Sequence, residues 1–170
     1  MTDAQGHAHI RLAEATPDML RRVLDLNNAH KVETSELSQT RLEAMIATAC
    51  AAWALPDASA FLLAFAETAS YDSANFLWFR SRYPRFVYVD RIVVSPERRG
   101  TGVARAFYEA LFAETRRSGR AMVACEVNVA PPNPGSAAFH DRLGFQPVAQ
   151  AETAAGKTVR YMIRDLSGRA

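Results

Sequence analysis

At 170 residues, 49% of them hydrophobic and 22% charged, the chain is long enough to bury one core and too short for two. The net charge of +2, with Lys and Arg spread along the chain rather than gathered in a block, carries no mark of a nucleic-acid binder. No uncharged apolar run reaches the roughly 18 residues of a membrane span, so a soluble single domain over residues 1–170 is expected.

The opening, MTDAQGHAHIRLAEATPD, lacks the apolar run of a secretory leader, which makes the cytoplasm the expected location. Ile10 and Leu12 alternate in HIRLAEA as in a strand. TPDMLRRVLDLNNAH then carries a helix start, with Thr16 as N-cap, Pro17 at the first helical position and Asp18 in the first turn, and Leu20, Val23 and Leu24 make its apolar stripe. A polar connector, NNAHKVETSEL, leads to a second helix through SQTRLEAMIATAC, where Leu42, Met45, Ile46 and Ala49 recur at helical spacing. AFLLAFAE, Ala60 to Glu67, reads as a buried strand, and RFVYVDRIVV, Arg85 to Val94, as a second. The segment between them, TASYDSANFLWFRSRYP, is too long for a hairpin loop and reads as an insertion with its own packing.

Beyond RGTGVARAFYEAL, which opens a helix, GRAMVACEVNV is a strand and NPGSAAFHDRLG a short helix closed by Gly144 at C′. FQPVAQAET and TVRYMIRDL (Thr158 to Leu166) form an antiparallel hairpin around AAGK. The element order β, α, α, β, β, α, β, α, β, β implies an α/β domain with a mixed sheet covered by helices. Cys50 and Cys125 each lie in an apolar stretch and are expected as buried thiols. His7, His9, His30 and His140 show no ligand spacing, so no metal site is expected.

The stretch VVSPERRGTGVARAF admits two readings from its residues alone. Arg99-Gly100-Thr101-Gly102-Val103-Ala104 joins a strand to a helix, and the glycines serve either as turn geometry or to bare the helix's first N–H groups toward an anion. A Walker loop is excluded by the missing Gly-Lys-Ser/Thr, and a dinucleotide fingerprint by the missing third glycine.

Arg99-x-x-Gly102-x-Ala104 resembles the R/Q-x-x-G-x-G/A signature of the GNAT superfamily of acyl-CoA N-acyltransferases, and NPGSAAFHDRLGF resembles the family's downstream N-x-x-A/S-x-x-F/L-Y-x-x-x-G-F. The resemblance covers nearly the whole chain and implies a mixed, mostly antiparallel central sheet flanked by helices. It implies acetyl-CoA as co-substrate, no metal, and transfer of the acetyl group to a primary amine of a small molecule or peptide by direct attack in a ternary complex. A non-catalytic acyl-CoA-binding module is the alternative it allows. No nucleic-acid or membrane partner follows, and either a monomer or a homodimer is consistent with it.

Carried over residue by residue, the resemblance gives Ile92, Val93 and Val94 main-chain contacts to the pantetheine arm and thioester. Arg99, Gly100, Thr101, Gly102, Val103, Ala104 and Arg105 would cradle the pyrophosphate, and Asn133 would meet the pantetheine region. His140 stands where family members often carry a tyrosine acid. Glu126 resembles the base of the ribosomal-protein acetyltransferases, and Asp90 is its rival, expected on one strand face with Tyr88 and Ile92 and opposite Arg91. Cys125, beside that carboxylate, is disfavoured as a nucleophile. Acceptor binding is expected from the connector (Asn27, Asn28, His30, Glu33) and from the aromatic residues of the insertion (Tyr71, Trp78, Tyr83).

Overall fold

The computed structural model describes residues 8–168; the first seven residues of the opening read for a leader, His7 among them, lie outside these. Strand β1 (Ile10–Arg11) leads through a short 3-10 turn to α1 (Pro17–Ala29) and α2 (Gln39–Thr48), then to β2 (Ala51–Ala54) and β3 (Ala60–Ala66). Helix α3 (Ala74–Arg80) precedes β4 (Val87–Val94), α4 (Val103–Arg117), β5 (Met122–Ala130), α5 (Pro134–Arg142), β6 (Gln146–Glu152) and β7 (Thr158–Asp165). Among the described residues the strands form one seven-stranded sheet in the order β1-β2-β3-β4-β5-β7-β6, in which only the β4–β5 pair is parallel. No described helix is long and apolar enough to cross a membrane.

Both faces of the sheet are covered, which is why β3 reads AFLLAFA with every residue buried rather than alternating. Helices α1, α2 and α3 pack on one face, where Leu42, Phe65, Phe76, Phe79 and Tyr88 meet. Helix α4 and the end of α5 pack on the other, where Val89, Val103, Phe107, Leu111 and Phe145 meet. Local signals set the helix starts: Thr16 accepts from the Met19 amide at 3.3 Å, as read, and Ser38, which caps α2, from that of Arg41 at 3.1 Å.

Three expectations are corrected. Strand β2 is not anticipated because its four residues, AAWA, are separated from α2 by only two residues and continue that helix's apolar end; pairing with β3 makes it a strand. The insertion contains α3, whose Phe- and Trp-rich seven residues have little intrinsic helix preference and are started by Ser73, which accepts from Phe76 at 3.5 Å. Cys50 is exposed, since it sits on the turn between α2 and β2, whereas Cys125 is buried as expected.

A fourth correction concerns strand parity. Leu63 pairs with Arg91 and Ala64 with Val89, so Asp90 is an extra, bulged residue in β4. The bulge resets the alternation: Asp90 shares a face with both Tyr88 and Arg91, and Ile92 moves to the α4 side with Val89. Strand β4 also pairs with β5 only from Val87 to Val89, against Val123 to Cys125. Beyond those three pairs β4 stays on β3 and β5 on β7, and the sheet opens between them.

Helix α5 ends as the sequence indicates. The Gly144 amide donates to the Asp141 carbonyl at 3.0 Å and the Phe145 amide to that of His140 at 3.1 Å, with Gly144 at φ 79°. Gly144→Ala forces an L side chain into that conformation and is expected to cost about 1–2 kcal/mol, read as a lower urea midpoint at unchanged m.

Candidate active site

A cleft of about 600 Å³ runs from the open end of β4 to the start of α4. Gly102, at φ 87°, is the N-cap of α4 and offers no side chain to its first turn, whose first helical bond is Ala106 N–H to the Gly102 carbonyl at 2.9 Å. The amides of Val103, Ala104 and Arg105 therefore lack helical acceptors at the positive end of the helix dipole, and all three residues line the cleft. The Thr101 amide is turned instead to the Arg98 carbonyl at 3.4 Å, and its hydroxyl donates there at 2.6 Å. Gly100 (φ 74°) and Arg99 line the same wall, and Arg99 Nε ties the loop to the strand by donating to the Val94 carbonyl at 3.4 Å. Ile92, Val93 and Val94 form the opposite wall, paired with β3 but with no paired strand on the β5 side. Asn133 also lines the cleft and caps α5, accepting from the Ser136 amide at 3.1 Å. A row of uncapped amides flanked by arginines, next to a slot with free strand edges, fits a long ligand with a phosphate end and an amide arm.

Glu126 is the first β5 residue past the paired segment and is half-buried on the α3 side. Its Oε2 accepts from the Tyr88 hydroxyl at 2.7 Å and its Oε1 from Asn75 Nδ2 at 2.9 Å, while Asn75 Oδ1 accepts from the Tyr161 hydroxyl at 2.9 Å. Burial, reinforced by the Asp90 charge, outweighs these donors and lifts the Glu126 carboxyl from its ordinary 4.5 to about 8. Asn75 was missed by sequence reading; its signal is only an Asn on an insertion helix two residues past the Ser73 cap.

Asp90, the rival base, has both oxygens engaged: Oδ1 accepts from the Tyr71 hydroxyl at 2.5 Å and Oδ2 from Arg91 Nε at 2.7 Å. The pair is nearly dry, with side-chain exposures of 6% for Arg91 and 7% for Asp90. Arg91 Nη1 further donates to Asn27 Oδ1 at 2.8 Å and Nη2 to Ser35 Oγ at 3.4 Å. Asn28 is a brace for the connector rather than a pocket group, donating to the Leu37 carbonyl at 3.0 Å and accepting from its amide at 2.9 Å.

His140 is 4% exposed and borders the cleft. Its Nδ1 lies 2.8 Å from the Ser136 carbonyl, which can only accept, so the ring hydrogen sits on Nδ1, and Nε2 accepts from the Tyr108 hydroxyl at 2.8 Å. Burial lowers its proton affinity, which favours the neutral ring. Cys125 lies on the opposite side of β5 from Glu126, and burial holds its thiol protonated.

A second, polar pocket of about 300 Å³ opens beside Glu126, and Tyr71, Ser73, Asn75, Asp90 and Arg91 line it. Of the expected acceptor residues, Tyr71 is here, whereas Glu33 and His30 line the cleft at the start of α4. Trp78 stacks on Tyr161 with centroids 4.2 Å apart, beneath the Arg82 guanidinium at 4.1 Å, and lines neither.

Comparison with known proteins agrees with this layout. No curated protein matches the sequence, but the structure resembles many solved ones. The ribosomal-protein-S18-alanine N-acetyltransferase from Escherichia coli is 17% identical with a TM-score of 0.68, covering 96% of each chain. An aminoglycoside 6′-N-acetyltransferase complexed with coenzyme A is 14% identical with a TM-score of 0.70, covering 96% of this chain and 99% of that one. A chain of the NatC complex bound to Gag peptide and CoA is 12% identical with a TM-score of 0.73, covering 94% and 98%. Residues 24–145, which contain the bulged strand, the glycine loop and α5, match the acetyltransferase (GNAT) family. The chain belongs to the GNAT acetyltransferase family.

Proposed function

We propose that this protein is a cytoplasmic N-acetyltransferase that carries an acetyl group from acetyl-CoA directly to a primary amine in a ternary complex, with Glu126 as base. The observation that carries this reading is the position of Glu126: a carboxyl of raised proton affinity where β4 and β5 part, lining the polar pocket. The coenzyme A named with the aminoglycoside acetyltransferase and with the NatC complex supports the cofactor.

Acetyl-CoA supplies an activated thioester carbonyl. The amides of Val103 to Arg105 hold its phosphates, and the free edge of Ile92 to Val94 aligns its arm and offers N–H donors to the carbonyl oxygen as charge develops there. An alkyl ammonium has a pKa near 10.4 and must lose a proton to attack. A carboxylate of ordinary affinity is a poor base for that task; raised to about 8, Glu126 is matched to it. Asp90, saturated by Tyr71 and Arg91, serves as the fixed negative charge that raises Glu126 rather than as the base. His140 has no proton free for a leaving thiolate, so solvent supplies it. The poised carboxyl favours this reading over a non-catalytic acyl-CoA-binding module, which has no use for a base.

Four outcomes are expected. Gly102→Glu places a carboxylate at the uncapped amides and abolishes coenzyme A binding in calorimetry while far-UV circular dichroism stays native; unchanged affinity removes the phosphate cradle. In wild type kcat/KM rises with pH through about 8, and Glu126→Gln lowers activity and erases that limb. The same raised affinity makes the fold keep a proton that the unfolded chain releases between pH 4.5 and about 8, so stability falls as pH rises across that window, and Glu126→Gln removes the slope. His140→Phe leaves kcat within about threefold and lowers the melting temperature, whereas loss of a general acid would cost about 10²–10⁴-fold.

A further inference from the structure

The polar pocket constrains the acceptor more closely than the family does. Its volume of about 300 Å³ lies at the lower end for small-molecule sites, about 300–1,000 Å³. Hydroxyl, amide, carboxylate and guanidinium groups make up most of its wall, with Leu37 and Met45 the apolar exceptions. An apolar body seated there would strip water from these groups and return no hydrogen bonds. The acceptor is therefore small and polar throughout.

Two guanidinium groups face the pocket, and they differ in what they have left to give. Arg91 is buried and spent on Asp90, Asn27 and Ser35. Arg41 is 42% exposed, and its guanidinium rests 5.3 Å above the Tyr71 ring, which is itself held by Asp90. Its charge partner is Asp72, whose side chain is 77% exposed. An exposed pair of this kind contributes little and exchanges readily with another anion. The planar fork of Arg41, preset on its aromatic platform, suits a carboxylate. Glu126 lines the same pocket.

Building on Glu126 as the base, we infer that the acceptor is a small zwitterion of amino-acid type, its carboxylate taken by Arg41 in exchange for Asp72 and its amine presented at Glu126. Arg41 is then the residue that sets specificity. A diamine or a simple alkylamine gains nothing from that guanidinium, and a diamine is repelled by it.

The test compares kcat/KM, by thiol release with mass-spectrometric product identification, over matched sets of a small polar amino acid, its amide and its decarboxylated amine. The free acid is expected to lead by about tenfold or more. Arg41→Gln should raise its KM until it converges on its amide, and Asp72→Asn, which removes the competing carboxylate, should lower it. Amides or decarboxylated amines acetylated as well as the acid, or a preference that survives Arg41→Gln, overturn the inference. Failure to acetylate any member by protein that still binds acetyl-CoA in calorimetry also overturns it, while the cofactor assignment stands. Protein that binds no acetyl-CoA overturns both.

Discussion

The whole site depends on how short the parallel pairing of β4 with β5 is. Three residue pairs hold the two strands together, from Val87–Val123 to Val89–Cys125, and past them each strand follows its antiparallel neighbour instead. Strand edges left without a partner must be satisfied by something else, since buried backbone donors and acceptors are costly to orphan. The fork thus opens the slot beside Ile92 to Val94, and Glu126 is the first β5 residue past the paired segment. Helix α4 completes the arrangement, because Val103, Phe107 and Leu111 fasten its N-terminal turn against the sheet beside the slot.

The bulge at Asp90 is what makes the fork compatible with a charged interior. A regular β4 would send Asp90 and Arg91 to opposite faces, leaving one charge among the apolar residues under α4. The extra residue puts both on one face, where each neutralises the other, Asp90 accepts from the Tyr71 hydroxyl, and the remaining Arg91 donors reach Asn27 and Ser35. Those contacts link β4 to α1, to the connector and to the insertion, so the elements that border the polar pocket are fastened to one ion pair. Removing one partner of such a pair leaves an uncompensated buried charge, at a cost of about 3–5 kcal/mol. Ser35, held by that network at φ 146°, occupies a backbone region unfavourable for a residue with a side chain.

Glu126 shows how the same network tunes chemistry. Tyr88 and Asn75 donate to its oxygens and favour the carboxylate, while desolvation and the nearby Asp90 favour the acid, and the second pair dominates. A fold optimised for stability alone would bury a neutral residue here. Retaining an ionisable one costs stability across the pH range in which the carboxyl would otherwise ionise.

The sequence by itself determined most of the element order, the helix start at Thr16, the stop at Gly144, and the glycine loop that opens α4. Each of these rests on local chemistry: a cap side chain, a positive φ, an apolar period. The two spaced motifs determined the family for the same reason, since they are contiguous in the chain. Tertiary structure alone decided what depends on pairing across distance. Four residues became β2 only because β3 lies beside them, and Asp90 changed neighbours because β3 opposes it with one residue too few. Asn75 reached Glu126 only because α3 packs over the fork, and Tyr108 came to hold the His140 ring because α4 and α5 share a face. Hydrogen bonds between groups 51 and 32 residues apart leave no trace in a local pattern, and those bonds set the surroundings of Glu126 and His140.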